Sequence, residues 1–134
     1  MTITMAMLDA YPADSVLEKQ LLTRSIQTCV ECAQACTACA DADIREEMIS
    51  DLVKCATLNL DCADMCEATG RVLTRQTGFD ADMVRAVVQA CVQACRVCGD
   101  ECDRHAQMHE HCRVCAEACR RCQHTCEDLI AALT

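Results

Sequence analysis

Residues 112–126 read CRVCAEACRRCQHTC. Their five cysteines, Cys112, Cys115, Cys119, Cys122 and Cys126, follow one another at gaps of three, four, three and four. That rhythm is the spacing of core positions on one face of an α-helix, where leucine is the ordinary occupant. The stretch therefore predicts a helix whose buried stripe is made of thiols.

The same rhythm recurs upstream. Cys29, Cys32, Cys36 and Cys39 form one ladder, Cys55, Cys62 and Cys66 a second, and Cys91, Cys95, Cys98 and Cys102 a third. Every step within a ladder is three, four or seven, so each ladder lines one stripe of its own helix. Start and stop signals divide the chain to match. Pro12 precedes Ser15 and Glu18, which have the spacing of a capping box, and a first helix is expected from about Asp14 to Ala40. Asp43 with Glu46 offers a second start, Thr77–Gly78 a stop after about Arg75, and Asp80 a third start reaching to about Arg104. The fourth helix is expected from about Met108 to Ala132. Alternating runs of β-branched and aromatic residues, the signature of strands, are missing.

Composition agrees. Of 134 residues, 3 are Gly and 1 is Pro, which suits long helices. Tyr11 and Phe79 are the only aromatic residues, so the core must be built from Leu, Val, Ile, Ala, Met and 16 Cys. The length fits one domain, 1–134, with residues 1–13 as an N-terminal extension and 14–134 as the helical body. Four amphipathic helices with short links predict an all-α fold, an antiparallel four-helix bundle with a cysteine-lined core. A net charge of −9 argues against a nucleic-acid partner. No apolar stretch approaches the ~18 residues that span a membrane. The opening MTITMAMLDAYP lacks the basic region and apolar run of a secretory signal. The expected home is the cytoplasm, where thiols stay reduced and a cysteine-rich chain binds metal or does redox work.

Following the seams past the cysteines separates two ends. Leu22, Leu73, Val84, Val88, Leu129 and Leu133 continue the stripes at one end, which should be apolar and closed. At the other end the stripes lead to Met48, Leu52, His105, Met108, His109 and His111. His124 falls between Cys122 and Cys126 but off their stripe, which places it on the surface. Asn59 fills the stripe position between Cys55 and Cys62. There it would pair locally, set register, or offer an oxygen to a metal.

Three chemistries compete for the thiols. Cysteine serves elsewhere as a small buried hydrophobe, but sixteen in register exceed what packing asks for. Disulfides within a helix are disfavoured, because neighbours three or four apart hold their Cβ atoms about 5–6 Å apart and a disulfide wants roughly 3.5–4.5 Å. Bridges between helices, and with them a thiol redox sensor, stay open. Metal is the third reading. Thiolates select Cu(I), Zn(II) or iron–sulfur clusters. Iron–sulfur sites usually draw on loops, and the CxxCxxC run is absent. Zinc prefers isolated tetrahedra, and four cysteines around one zinc leave two buried negative charges. One Cu(I) per thiolate gives a neutral core, which avoids the several kcal/mol that each buried unpaired charge costs. Cu(I) is therefore the leading reading, with His and Met at the open end as a relay. Zinc or toxic-metal sequestration and the redox sensor remain as alternatives.

Four ladders of CxxxC and CxxC pairs, ending near HAQMHEHC at residues 105–112, resemble the copper storage proteins, in their cytosolic branch. The likeness covers about Ser25 to Leu133. It implies non-catalytic storage of many Cu(I) ions per chain, a homotetramer of bundles, and copper entering at the histidine end. The ligands it implies are the sixteen cysteines, with His105, His109 and His111 at the entrance. A copper chaperone is a candidate donor.

Overall fold

The computed structural model describes residues 2–133. Among them are five α-helices and no strand: α1 (Ile3–Ala10), α2 (Lys19–Arg45), α3 (Ile49–Thr74), α4 (Ala81–His105) and α5 (Glu110–Ala132). Four are the long helices that the cysteine ladders foretell. The short α1 lies in the segment that the sequence leaves as an extension. Thr2 caps it by accepting from the Met5 amide at 3.2 Å. Its Leu8 joins the core, and Tyr11 at its end reaches Thr77 through a hydroxyl contact of 3.0 Å.

Two helix starts differ from expectation. Ser15 does not cap α2. Its hydroxyl donates to the Leu17 carbonyl at 2.6 Å, while Leu17 itself turns into the core. The helix begins after that turn, and Glu18 caps it by accepting from the amides of Gln20 and Leu21 at 3.1 and 2.7 Å. Asp43 does not open the next helix. Nothing between Ala40 and Arg45 breaks the helix, and Asp43 lies four residues beyond Cys39 on the same stripe, so α2 carries it into the core. Asp80 behaves as expected and accepts from the Met83 amide at 2.9 Å.

The long helices pack in a closed cycle: α2 against α3 and α5, and α4 against α3 and α5. Between α2 and α5 the sulfur contacts pair Cys29 with Cys122 (3.8 Å), Cys36 with Cys119 (3.7 Å) and Cys39 with Cys112 (3.8 Å). Between α3 and α4 they pair Cys66 with Cys91 (3.8 Å), Cys62 with Cys95 (3.9 Å) and Cys55 with Cys102 (3.9 Å). Numbers rise on one helix as they fall on the other, so each pair runs in opposite directions. All sixteen cysteines are free and buried. Leu22, Leu73, Val84, Val88 and Leu129 are buried beyond the sulfurs at one end, as the seams predict. Each fully buried aliphatic side chain there contributes about 1.5–3 kcal/mol.

Outside the core, α4 and α5 are clasped by Arg120. Its Nη2 lies 2.6 Å from Asp100 and 2.8 Å from Asp103. The guanidinium crosses Gly99, where a Cβ would come within 2.9 Å of Nη1.

Candidate metal centre

The cysteine ladders converge into four-sulfur groups that overlap along the axis. Cys29, Cys91, Cys122 and Cys126 form the group nearest the apolar end. Cys122 also belongs to the next, with Cys32, Cys66 and Cys95. Cys32 belongs in turn to a group with Cys36, Cys62 and Cys119, and Cys36 and Cys119 to one with Cys98 and Cys115. Within each group all sulfurs lie within 4.8 Å of one another. The sulfur–sulfur contacts fall between 3.6 and 4.0 Å. Two sulfurs on one metal at about 2.3 Å each sit no more than about 4.6 Å apart, so the thiols already stand at bridging distance. They are far from the ~2.05 Å of a disulfide bond.

Donation between thiols orders them electrostatically. Cys115 and further sulfur neighbours, together with burial, push the Cys36 thiol far up. Cys39 is pushed down by its sulfur neighbours, Cys102 and Cys112 foremost. A buried thiolate next to thiols is in effect a hydrogen-bonded anion.

Asn59 interrupts the sulfur column. Its Oδ1 accepts from the thiols of Cys98 (3.0 Å), Cys102 (3.2 Å) and Cys115 (3.4 Å). Its Nδ2 donates to Asp43 at 3.3 Å and to Cys55 at 3.7 Å. Of the roles open to it from sequence, the structure displays local pairing. Asp43 is the residue that sequence reasoning missed. It is 1% exposed, and burial first, then the Cys39 thiolate, raise its carboxyl above the usual range. The signal was present, since Asp43 continues the ladder one step of four beyond Cys39.

The three histidines divide into two clusters. His109 Nδ1 and His111 Nε2 both reach Glu46 Oε2, at 2.7 and 2.8 Å, with their rings 5.6 Å apart. His111 turns its Nδ1 inward, 3.4 Å from Cys39 Sγ and 3.6 Å from Cys112 Sγ. Burial opposes charge on His111, but acceptors at Cys39 and Glu46 outweigh it and hold its pKa above the ordinary value. His105 stands apart. Its Nε2 meets the buried Glu101 at 2.9 Å, and Glu101 also holds Arg104 at 3.1 Å. Glu101 was not singled out from sequence and Glu46 only as part of a helix start, although each lies on a histidine-bearing end. Met48 and Met108 are exposed there, and a surface depression is lined by Arg45, Glu46, Glu47, Met48 and His109. His124 is exposed, as its off-stripe position predicts.

Residues 18–131 match the family of copper storage proteins. The chain belongs to that family. A cysteine-rich protein of Bacillus subtilis, YhjQ, is 32% identical over 106 residues, covering 79% of this chain and 93% of its own. The copper storage protein Ccsp of Streptomyces lividans, solved loaded with 10 copper equivalents, is 54% identical. That structure covers 96% of this chain and 98% of its own, with a TM-score of 0.94. A structure of copper loading to a cytosolic copper storage protein of the same organism, with five coppers, is 57% identical over 86% of this chain and 96% of its own, at a TM-score of 0.85. This family membership supports copper storage over the two alternatives that the sequence left open. Among the described residues, no helix is long and apolar enough to cross a membrane.

Proposed function

We propose that this protein is a non-catalytic cytosolic store that holds many Cu(I) ions on cysteine thiolates inside an antiparallel four-helix bundle. In this reading residues 14–134 form the bundle and residues 1–13 an N-terminal extension, and four bundles assemble as a homotetramer. A copper chaperone would supply the metal. The sixteen cysteines are the storage ligands. His105, His109 and His111 serve the end where Cu(I) enters, opposite the aliphatic end.

The observation that carries this reading is the overlap of the four-sulfur groups. Cys32, Cys36, Cys119 and Cys122 each belong to two groups. Shared sulfurs are what bridging thiolates need, and Cu(I) accepts two or three soft ligands. Isolated tetrahedral zinc sites would each need private ligands. Every thiol loses its proton on binding, so each added Cu(I) replaces a proton and the column stays neutral. Capacity should approach roughly one copper per cysteine on that neutrality argument.

The test is an anaerobic Cu(I) titration of the fully reduced protein against a competing chelator, with free thiols counted first. Tight uptake of many equivalents, with a melting temperature that climbs with loading, is the expected result. Saturation after a few equivalents, or heavy loading that leaves the melting temperature where it was, would remove storage inside the fold.

A further inference from the structure

The two outer grooves of the bundle are finished differently. Over the groove between α4 and α5 lies the Arg120 guanidinium, paired with Asp100 and Asp103. The groove between α2 and α3 has no such cover. Among the described residues no ion pair joins these two helices; Lys54 of α3 turns to α4, and Glu31 of α2 turns to α5.

Both helices carry a second stripe there, one position beyond the sulfur seam. On α2 it is Ile26, Val30, Ala33, Thr37, Ala40 and Ile44. On α3 it is Val53, Ala56, Leu60, Ala63, Glu67 and Gly70. Each step is three or four, so each stripe faces one way. The stripes meet. A Cβ on Gly70 would stand 3.9 Å from Val30 Cγ2, and Ile26, Val30, Glu67 and Gly70 line one hollow. Val30, Ile44, Val53 and Leu60 are half or more exposed. Single exposed aliphatics are ordinary on a protein surface; a row of them along one groove marks an interaction surface.

Shape and charge name the occupant. Val30, Ile44, Val53 and Leu60 project, while Ala33, Ala40, Ala63 and Gly70 leave room between them. A face with both knobs and holes fits a copy of itself turned about a two-fold axis. The chain carries −9, so two copies repel over most of their surface. Here they need not. Glu67 and Arg71 are the charged residues lining the hollow, one helical turn apart, and their charges cancel. Neither has an ion-pair partner among the described residues. About a two-fold axis passing between them, Glu67 of each copy meets Arg71 of the other. Extent agrees as well. With 26 residues in α3 at 1.5 Å each, the face runs roughly 40 Å, and two helices make it about 20 Å wide. A contact over it would cover about 800 Å² on each copy, the size of a standard stable interface.

We infer that the α2/α3 face is the surface on which a second copy of this chain docks, through its exposed aliphatic row and a reciprocal Glu67–Arg71 pair. The inference deepens the assembly named in the storage reading and rests on that reading for the number of copies. A dihedral tetramer needs two kinds of contact, and this face supplies one of them. No storage thiol lies on it, since all sixteen are buried. Association and copper uptake are therefore separable.

The test is sedimentation equilibrium of the full-length, reduced, copper-free protein. The parent should associate. Val30→Asp combined with Leu60→Asp should split the assembly into smaller species; both positions are exposed, and helical circular dichroism with a full thiol count establishes that the variant is folded. Glu67→Arg alone, or Arg71→Glu alone, sets like charges against each other and should raise the dissociation constant by roughly tenfold or more. Exchanging the two, Glu67→Arg with Arg71→Glu, should restore association, which a loss of folding would not do. A parent that stays monomeric at every concentration overturns the second copy as occupant. An assembly that survives the paired Asp variant overturns the face and leaves the homotetramer standing. Single charge variants that associate like the parent overturn the reciprocal pair. Cu(I) capacity per chain is titrated separately on the split variant, so the storage reading stands or falls on its own.

Discussion

The side-chain oxygen of Asn59 sits 3.0 Å from the sulfur of Cys98, in a slot where the helix periodicity would place another cysteine. Two further thiols converge on the same oxygen, and the amide nitrogen faces Asp43. One polar side chain therefore satisfies donors from α4 and α5 and an acceptor from α2. Replacing it with Leu should destabilise the copper-free protein by ~1–3 kcal/mol, because Asp43 loses its amide donor while staying buried. Anaerobic denaturant unfolding of Asn59→Leu measures this; a variant as stable as the parent would mean that Asp43 finds another donor.

The Glu46–His111 contact gives the copper-free protein a pH optimum at its histidine end. His111 has a raised pKa, against the opposition of burial, through Cys39 and Glu46. A raised pKa stabilises the fold fully below the ordinary histidine value, about 6.5, and that contribution fades as pH climbs through the folded value. Glu46 is lowered, chiefly by His111. Its contribution is present above the ordinary carboxylate value and fades as pH falls through the lowered one. The contact should therefore be firmest from mildly acidic to neutral pH and loosen on either side. Histidine ring shifts by NMR, followed across that range, should show His111 titrating above the ordinary histidine value. A midpoint below that value would contradict the contact.

Replacing His105 and His109 together by Ala should slow Cu(I) uptake and leave the final number of ions unchanged. Both lie at the surface end of the column, and neither belongs to a four-sulfur group. Stopped-flow loading gives the rate and a competition titration the capacity. A large drop in capacity would make these histidines storage ligands.

Gly99→Ala tests the clasp between α4 and α5. The added methyl group displaces the Arg120 guanidinium and loosens its pairs with Asp100 and Asp103. Exposed pairs of this kind contribute about 0–1 kcal/mol each. Alanine in a helix returns about 0.8–1.0 kcal/mol over glycine. The two effects offset, so the variant should unfold within about 1 kcal/mol of the parent. A larger loss would show that Arg120 cannot move aside.

The four long helices and their buried faces were legible in the cysteine spacing, because a period of three and four admits one reading; the short α1, which carries no cysteine, was not. The sixteen sulfurs needed no further information to be placed inside. Helix starts were less legible. Ser15 and Glu18 have the letters of a capping box, but Leu17 between them is drawn into the core and shifts the cap by three residues. The acidic residues of the mouth escaped for a different reason. Asp43 carries an N-cap signature and a seam position at once, and from sequence the cap is the commoner role. Only the packing of α2 on α3 and α5 decides between them, through Asn59 and Cys112. Glu46 gains its meaning from His109 and His111, more than sixty residues away, and no local pattern connects them.

The aliphatic floor of Leu22, Leu73, Val88 and Leu129 closes one end of the column. A blind-ended file of this kind has a memory of arrival order. Ions taken up earliest would lie deepest, beside Cys29 and Cys126, and the latest arrivals would leave first. Cells drawing on such a reserve would turn over its outer layers and keep an old inner stock. Loading with two copper isotopes in succession, then removing metal stepwise with a chelator, reads that order directly. If the isotopes emerge in proportion to their totals, ions exchange along the shared sulfurs faster than they leave.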